Sequence, residues 1–170
     1  MQSILIESEL DATRQTGSTR VFFWQAAWEM AKDYPFGAGY SGFNVNAPQY
    51  IPEYVDTGRS ANRSVHSTWF ETLSEVGYLG LCLFVGLLYS AFSCTQKCKR
   101  NLIKAGDYET YHLVVAMQAA LLCFMVSMTF LDRMRAEVLY WLILYTACAY
   151  HLYVVVEARK EPGAQARGQS

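Results

Sequence analysis

His66-Ser67, nine further residues, and then Gly77-Tyr78-Leu79-Gly80 lead straight into an uncharged apolar run over residues 81–94. An imidazole is the side chain that changes charge near neutral pH. Here it stands at the end of a polar segment, about two to three helical turns before the chain enters a membrane. A base at a lipid–water boundary suits chemistry on a lipid-carried substrate. Charged side chains that could serve beside it are Arg20, Arg63, Glu71, Glu75, Arg133 and Arg135. A guanidinium can clamp two phosphate oxygens at once, and a carboxylate can orient an imidazole. Glu71 and Glu75 follow His66 on one expected helix, where solvated charges are the more ordinary outcome. Arg133 and Arg135 fall in a short turn outside the membrane, a place that topology disfavours for positive charge.

The elements that must position these groups are legible in the charge pattern. The chain has 170 residues, 52% of them hydrophobic, and a net charge of -1, which argues against a nucleic-acid partner. No Asp, Glu, Lys or Arg occurs in residues 76–96, 113–131 or 138–156. Each run is about 19 residues or slightly more, the length that crosses about 30 Å of hydrocarbon as an α-helix. The expected fold is therefore an all-α polytopic membrane protein with three transmembrane helices. Lys97, Lys99, Arg100 and Lys104 follow the first run, and Arg159, Lys160 and Arg167 follow the third. The positive-inside rule puts both groups in the cytoplasm. Residues 1–75 then form an external, periplasmic region, residues 76–156 the membrane region and residues 157–170 a cytoplasmic tail. The expected location is a bacterial cytoplasmic membrane.

The N-terminus has neither the basic start nor the long apolar core of a cleavable signal. A polar segment of this size is not readily exported without a preceding helix. The sequence is accordingly expected to be the C-terminal part of a larger polytopic protein, or a truncated copy of one. The five cysteines all lie in or beside the apolar runs, so no disulfide framework holds the external region. Cys94-x3-Cys98 lacks partner ligands for a metal. His151, inside the third run, is expected to make a helix contact rather than join a site.

In the external region, Ser18-Thr19 can cap a helix that begins near Arg20 and runs to about Lys32. Val21, Trp24, Trp28 and Ala31 recur at helical spacing and give it an indole-rich face. That face suits the headgroup layer of a membrane, or packing on other helices. Asp33-Tyr34-Pro35-Phe36-Gly37-Ala38-Gly39 ends the helix. Its Gly-x-Gly lacks the third glycine, preceding strand and lysine of a nucleotide loop. Tyr40, Tyr50 and Tyr54 are spread along the following loop, where they suit either sugar stacking or turn packing.

The His66-Ser67-x9-Gly77-x-x-Gly80 spacing resembles the hallmark of the O-antigen ligase and polymerase superfamily. Arg20-x3-Trp24-x2-Ala27 and Asp33-x-Pro35-x-Gly37-x-Gly39 precede it in the order seen there. The Val-His-Ser-Thr-Trp-Phe-Glu-Thr-Leu-Ser-Glu-Val-Gly wording and residues 113–135 look most like the exosortase-associated O-glycosylation ligase branch. The resemblance implies a larger glycosyltransferase-type helical bundle. It further implies transfer of a glycan from an undecaprenyl-diphosphate carrier to an acceptor hydroxyl or amide outside the cytoplasmic membrane. The acceptor would be a lipid, a protein or another glycan, and ligase and polymerase share this pattern. On the resemblance His66 is the catalytic base and Arg20 the loop arginine that meets the diphosphate. Arg63, Arg133 and Arg135 are further phosphate candidates, and Glu71 and Glu75 orienting ones. There is no Asp-x-Asp sequence, and the resemblance implies metal-independent transfer with no cofactor. Two other readings compete. One is a non-catalytic fragment or membrane partner subunit of a glycan-assembly or export complex. The other is a transporter piece, which would need ionisable residues or broken helices at mid-membrane.

The topology is open to a direct test. With Asn44→Cys and Asn101→Cys as single cysteines in a cysteine-free background, a membrane-impermeant thiol reagent should reach position 44 in intact spheroplasts. Position 101 should react only after lysis. Labelling of position 101 from outside would reverse the orientation.

Overall fold

A computed structural model describes residues 17–51, 65–131 and 136–158. Among them there is no strand. In chain order the elements are α1 (Gly17–Asp33), α2 (Gly42–Asn46), a 3-10 turn (Ala47–Gln49), α3 (Thr68–Ala105), α4 (Tyr108–Ser127) and α5 (Glu137–Tyr150). The last continues in π-helical form over His151–Val156.

Three helical stretches are long and apolar enough to cross a membrane: Thr68–Ala105, Tyr108–Ser127 and Glu137–Val156. Large apolar side chains stand exposed along them, among them Leu83, Leu113, Val126, Val138 and Trp141. Water would penalise such surfaces, whereas lipid accepts them. The expected all-α, three-span architecture is met, with shifted boundaries. With 38 residues α3 holds well over the about 20 that cross a hydrocarbon core of about 30 Å. Its first turns, with Glu71 and Glu75, precede the uncharged run. The second run ends its helix at Ser127 rather than at 131. The first helix begins at Gly17, three residues before Arg20.

The chain divides into two units, one holding residues up to Leu83 with Met128–Arg135, the other Phe84–Ser127 with the C-terminal residues. In the first, Phe23, Ala26, Ala27, Met30, Phe43, Ala47 and Val65 form the core. The buried face of α1 is therefore not the one marked by its tryptophans. Val21 is 46% and Trp28 49% exposed, while Ala27 and Met30 are fully enclosed. Both faces of α1 are apolar, and the alanines allow the closer approach.

A kink in α3 organises this unit. Gly77 has φ 76 and ψ -172, outside the helical region. In an unbroken helix the Tyr78 amide would donate to the Ser74 carbonyl, and the Leu79 amide to that of Glu75. Instead Tyr78 N donates to Pro35 O at 3.0 Å. The Ser74 carbonyl accepts from Ala38 N at 2.9 Å and that of Glu75 from Gly39 N at 3.0 Å. The loop after α1 thus takes over the hydrogen bonds that the helix gives up. The approach is backbone to backbone. A Cβ at Gly77 would lie 2.3 Å from Pro35 O, and one at Gly37, whose φ is 88, would lie 2.3 Å from Glu75 O.

In the second unit Cys98, Leu102, Val114 and Ala149 are the buried centre, with Tyr111, Met117, Tyr150, Tyr153 and Val154 against them. The basic end of α3 is tied in. Lys99 Nζ donates to Gln118 Oε1, Asn101 Nδ2 donates to Tyr153 O at 3.3 Å, and Lys97 Nζ lies 5.6 Å from the centre of the Tyr150 ring. Asp107 Oδ1 accepts the Thr110 amide at 3.0 Å and so caps α4. That contact with Thr110 holds the Asp107 carboxyl below its ordinary pKa. Ser127 and Thr146 turn their hydroxyls back onto carbonyls of their own helices, which satisfies them inside an apolar span. His151 is exposed.

Substitutions should separate contact from strain. Gly77→Ala and Gly37→Ala each force a Cβ into backbone at a positive φ, and should destabilise by about 3–5 kcal/mol. Gly39→Ala has the same strain, at φ 84, but open space around it. It should lose only about 1–2 kcal/mol. Apparent melting temperatures of the three variants in detergent give the ranking. Equal losses would mean that the glycines matter for φ alone.

Candidate functional site

Val65, His66 and Ser67 lead into α3, and the residues on either side of His66 are anchored. Val65 is 1% exposed within the core and Ser67 is fully enclosed. His66 itself is half-buried with φ 52. Only Ser41 shares that left-handed conformation among the described non-glycine residues. Such a backbone state costs a non-glycine residue about 1–2 kcal/mol, so its surroundings must hold it in place.

Below His66, one face of α3 carries Ser67, Thr68, Glu71, Thr72, Ser74 and Glu75, all buried. The spacing of three and four residues puts them on a single stripe. Glu71 and Glu75 are therefore not solvated helix charges, since each is at most 9% exposed. Each has an interaction with its surroundings. Thr72 Oγ1 donates to Thr68 O at 2.8 Å and Ser74 Oγ to Phe70 O at 2.8 Å. The Ser67 hydroxyl is buried without a hydrogen-bond partner, as is Trp24 Nε1.

Thr68 closes the top of the stripe. Its amide donates to Met128 O at 2.9 Å and Leu131 O at 3.2 Å, and its hydroxyl donates to Leu131 O at 2.7 Å. The turn over residues 128–131 is thereby fixed to the start of α3.

Two aromatic contacts set α1 beside the first half of α3. Trp24 stacks on Phe70 with centroids 5.5 Å apart and planes 13° from parallel, and Trp28 meets Tyr78 edge-on at 6.5 Å. Higher numbers on one helix meet higher numbers on the other, so the two run in the same direction. Arg20, four residues before Trp24, and His66, four residues before Phe70, accordingly share one end of the pair. Phe130, from the turn that Thr68 holds, also approaches Trp24, at 6.5 Å. Glu29 pairs with Lys32, three residues on. Both its oxygens accept from Lys32 Nζ at 2.7 Å.

The loop tyrosines divide. Tyr50 is a packing residue: its ring joins the core and its hydroxyl donates to Asp33 Oδ2 at 2.6 Å. That hydrogen bond to a carboxylate, more than burial, pushes the phenol pKa up to about 12. Tyr40 is exposed, and Tyr54 lies outside the described residues. So do Arg63, Arg133 and Arg135. The structure thus brings His66, Glu71, Glu75 and Arg20 into one unit and leaves the other three arginines undescribed. Among the described residues no three His, Cys, Asp or Glu side chains gather as a metal site.

The O-antigen ligase family model matches residues 1–85, half of the chain. The chain belongs to the O-antigen ligase family. No curated protein and no solved structure matches it. The part matched to the O-antigen ligase family includes α1, the glycine loop, His66, the buried polar stripe and the Gly77 kink. Among the described residues, the turn over residues 128–131 reaches this site from outside it. Family membership supports a glycan-transfer role in general terms. Thr68, Thr72 and Ser74 share the buried face of Glu71 and Glu75 and were not among the expected site residues. Their signal was present as polar residues recurring at helical spacing among apolar ones.

Thr68→Val tests the clasp. It removes the hydroxyl bond but keeps the amide bond to Leu131 O, so no buried carbonyl is orphaned. The loss should be about 1 kcal/mol, with Thr68→Ser near wild type. Thermal unfolding in detergent reads the difference, and an unchanged Thr68→Val would show that the hydroxyl adds nothing.

Proposed function

We propose that this O-antigen ligase family member transfers a glycan from an undecaprenyl-diphosphate carrier to an acceptor hydroxyl or amide at the periplasmic face of a bacterial cytoplasmic membrane. Residues 1–75 lie on that face and residues 157–170 in the cytoplasm. The observation that carries the reading is the strained, half-buried His66 above a buried acidic stripe, inside the segment that the family model matches.

In the reaction His66 accepts the proton of the acceptor as the acceptor atom bonds to the anomeric carbon. The bond between that carbon and the phosphate oxygen breaks, and the polyprenyl diphosphate departs with the electron pair. Arg20 meets the charge that grows on its oxygens, where a planar fork of donors is worth most. Glu71 and Glu75 stabilise the imidazolium as it forms, with Glu71 the nearer in sequence. Arg63, Arg133 and Arg135 are additional ligands for the diphosphate. The acceptor is a lipid, a protein or a growing glycan.

In the intact protein His66→Ala should lower transfer by about 10²–10⁴-fold while membrane insertion is unchanged. Arg20→Lys keeps the charge without the fork and should be impaired, and Arg20→Ala more so. A lost charge-assisted hydrogen bond is worth about 1.5–3 kcal/mol, or roughly one to two orders of magnitude in rate. Because arginine is assigned the leaving group's charge, activity of the purified protein should survive EDTA. Near-wild-type transfer by His66→Ala, or strict dependence on added magnesium with Arg20→Ala fully active, would overturn the mechanism.

A further inference from the structure

Among the described residues, Lys99 carries a charge that no carboxylate balances. It belongs to the second unit, outside residues 1–85 that match the family model. Lys97 is the first charged residue after the uncharged run of α3, and Lys99, Arg100 and Lys104 follow. Lys97, Arg100 and Lys104 recur at spacings of three and four, so they lie on one face of the helix, and all three are exposed. Lys99 stands on another face and is half-buried, with its ammonium donating to Gln118 Oε1. Gln118 lies five residues inside the second uncharged run. Helical side chains lean toward the start of their helix, so Lys99 reaches into the membrane while Gln118 reaches back out of it. The two meet close to the end of the runs, at the level of lipid headgroups.

This pair has donors to spare and lacks an acceptor. An ammonium only donates, so Gln118 must turn its oxygen to Lys99 and its Nε2 elsewhere. Gln118 is 6% exposed, and Nε2 is buried without a hydrogen-bond partner. The other buried polar side chains of this unit, Thr95 and Thr146, give their hydroxyls to Phe92 O and Ile143 O of their own helices. Asp107, at the same end of the spans, is taken up in capping α4. A positive charge and an unmet amide side by side at a membrane boundary call for an anionic oxygen.

We propose that Lys99 and the Gln118 amide receive a phosphate oxygen of an anionic phospholipid, with Arg100 beside them as a second cation. On the orientation proposed above, that lipid belongs to the cytoplasmic leaflet. The place of the pair decides between a phosphate and a carboxylate from another helix. It lies where the uncharged runs end, and the basic face next to it is exposed, which is the arrangement that attracts anionic headgroups. Lys97, Arg100 and Lys104 supply attraction that any anionic surface would feel. Lys99 adds a position, because Gln118 holds its ammonium and keeps it from following the solvent.

The test reads lipid binding and not glycan transfer, so its failure and that of the proposed function are separate results. The intact protein is purified, delipidated in detergent and titrated with phosphatidylglycerol or phosphatidylethanolamine of the same acyl chains, with native mass spectrometry as the readout. Phosphatidylglycerol should bind about tenfold or more tightly than phosphatidylethanolamine, and glycerol phosphate, which has no acyl chains, should not displace it. Lys99→Gln should weaken phosphatidylglycerol binding by about tenfold to a hundredfold. Lys104→Gln, which removes a charge from the exposed face, should weaken it by no more than about fivefold. Gln118→Glu sets a carboxylate of the protein itself against Lys99. It should lose as much lipid affinity as Lys99→Gln while its melting temperature is kept or raised, a combination that a purely structural Lys99 would not give. Equal binding of the two lipids, displacement by glycerol phosphate, or a Lys99→Gln loss no greater than that of Lys104→Gln would each overturn the proposal. So would a melting temperature lowered by Lys99→Gln in the delipidated protein with lipid binding unchanged, since a carboxylate of another transmembrane helix would then fill the place.

Discussion

The candidate site depends on an exchange of backbone hydrogen bonds at Gly77. A helix that breaks leaves amides and carbonyls without partners, and burying them unmet is expensive. Here the Pro35–Gly39 loop supplies three partners in register, so α3 kinks while those groups stay bonded. The loop is the continuation of α1, so the same bonds fix where α1 ends. The two ring contacts, Trp24 on Phe70 and Trp28 on Tyr78, then fix its direction. Proline at 35 and glycine at 37 and 77 are one device rather than separate turn signals. Each glycine is needed because the other strand of backbone occupies the space of its Cβ.

Once α1 is locked there, the first three turns of α3 become an interior surface. This is why Glu71 and Glu75 are buried although they precede the membrane run. Within it the Thr72 and Ser74 hydroxyls bond back to carbonyls of their own helix. His66 sits at the end of this surface in a conformation that it would not choose alone. The enclosed Val65 and Ser67 on either side constrain its backbone.

Much of this was legible in the sequence. Three uncharged runs gave three helices of the right kind, and the His66 and glycine spacings marked the segment that matches the family. What escaped has physical causes. Periodicity singled out Trp24 and Trp28 on α1, but that helix is apolar on two faces, and the alanine face, which approaches more closely, is the buried one. Glu71 and Glu75 read as surface charges because burial is decided by the covering segment, which no local pattern names. Thr68 read as an ordinary residue near a helix start, and its partners lie some sixty positions away.

The clasp at Thr68 has an electrostatic consequence. The start of an α-helix carries partial positive charge and open amides, which makes it an attractive resting place for phosphate. At α3 the leading amide is already given to Met128 O and Leu131 O, and these carbonyls set their own negative ends against it. The strongest backbone lure for an anion near His66 is therefore muted. An anion arriving there finds one open amide fewer, which leaves more of its recognition to side chains.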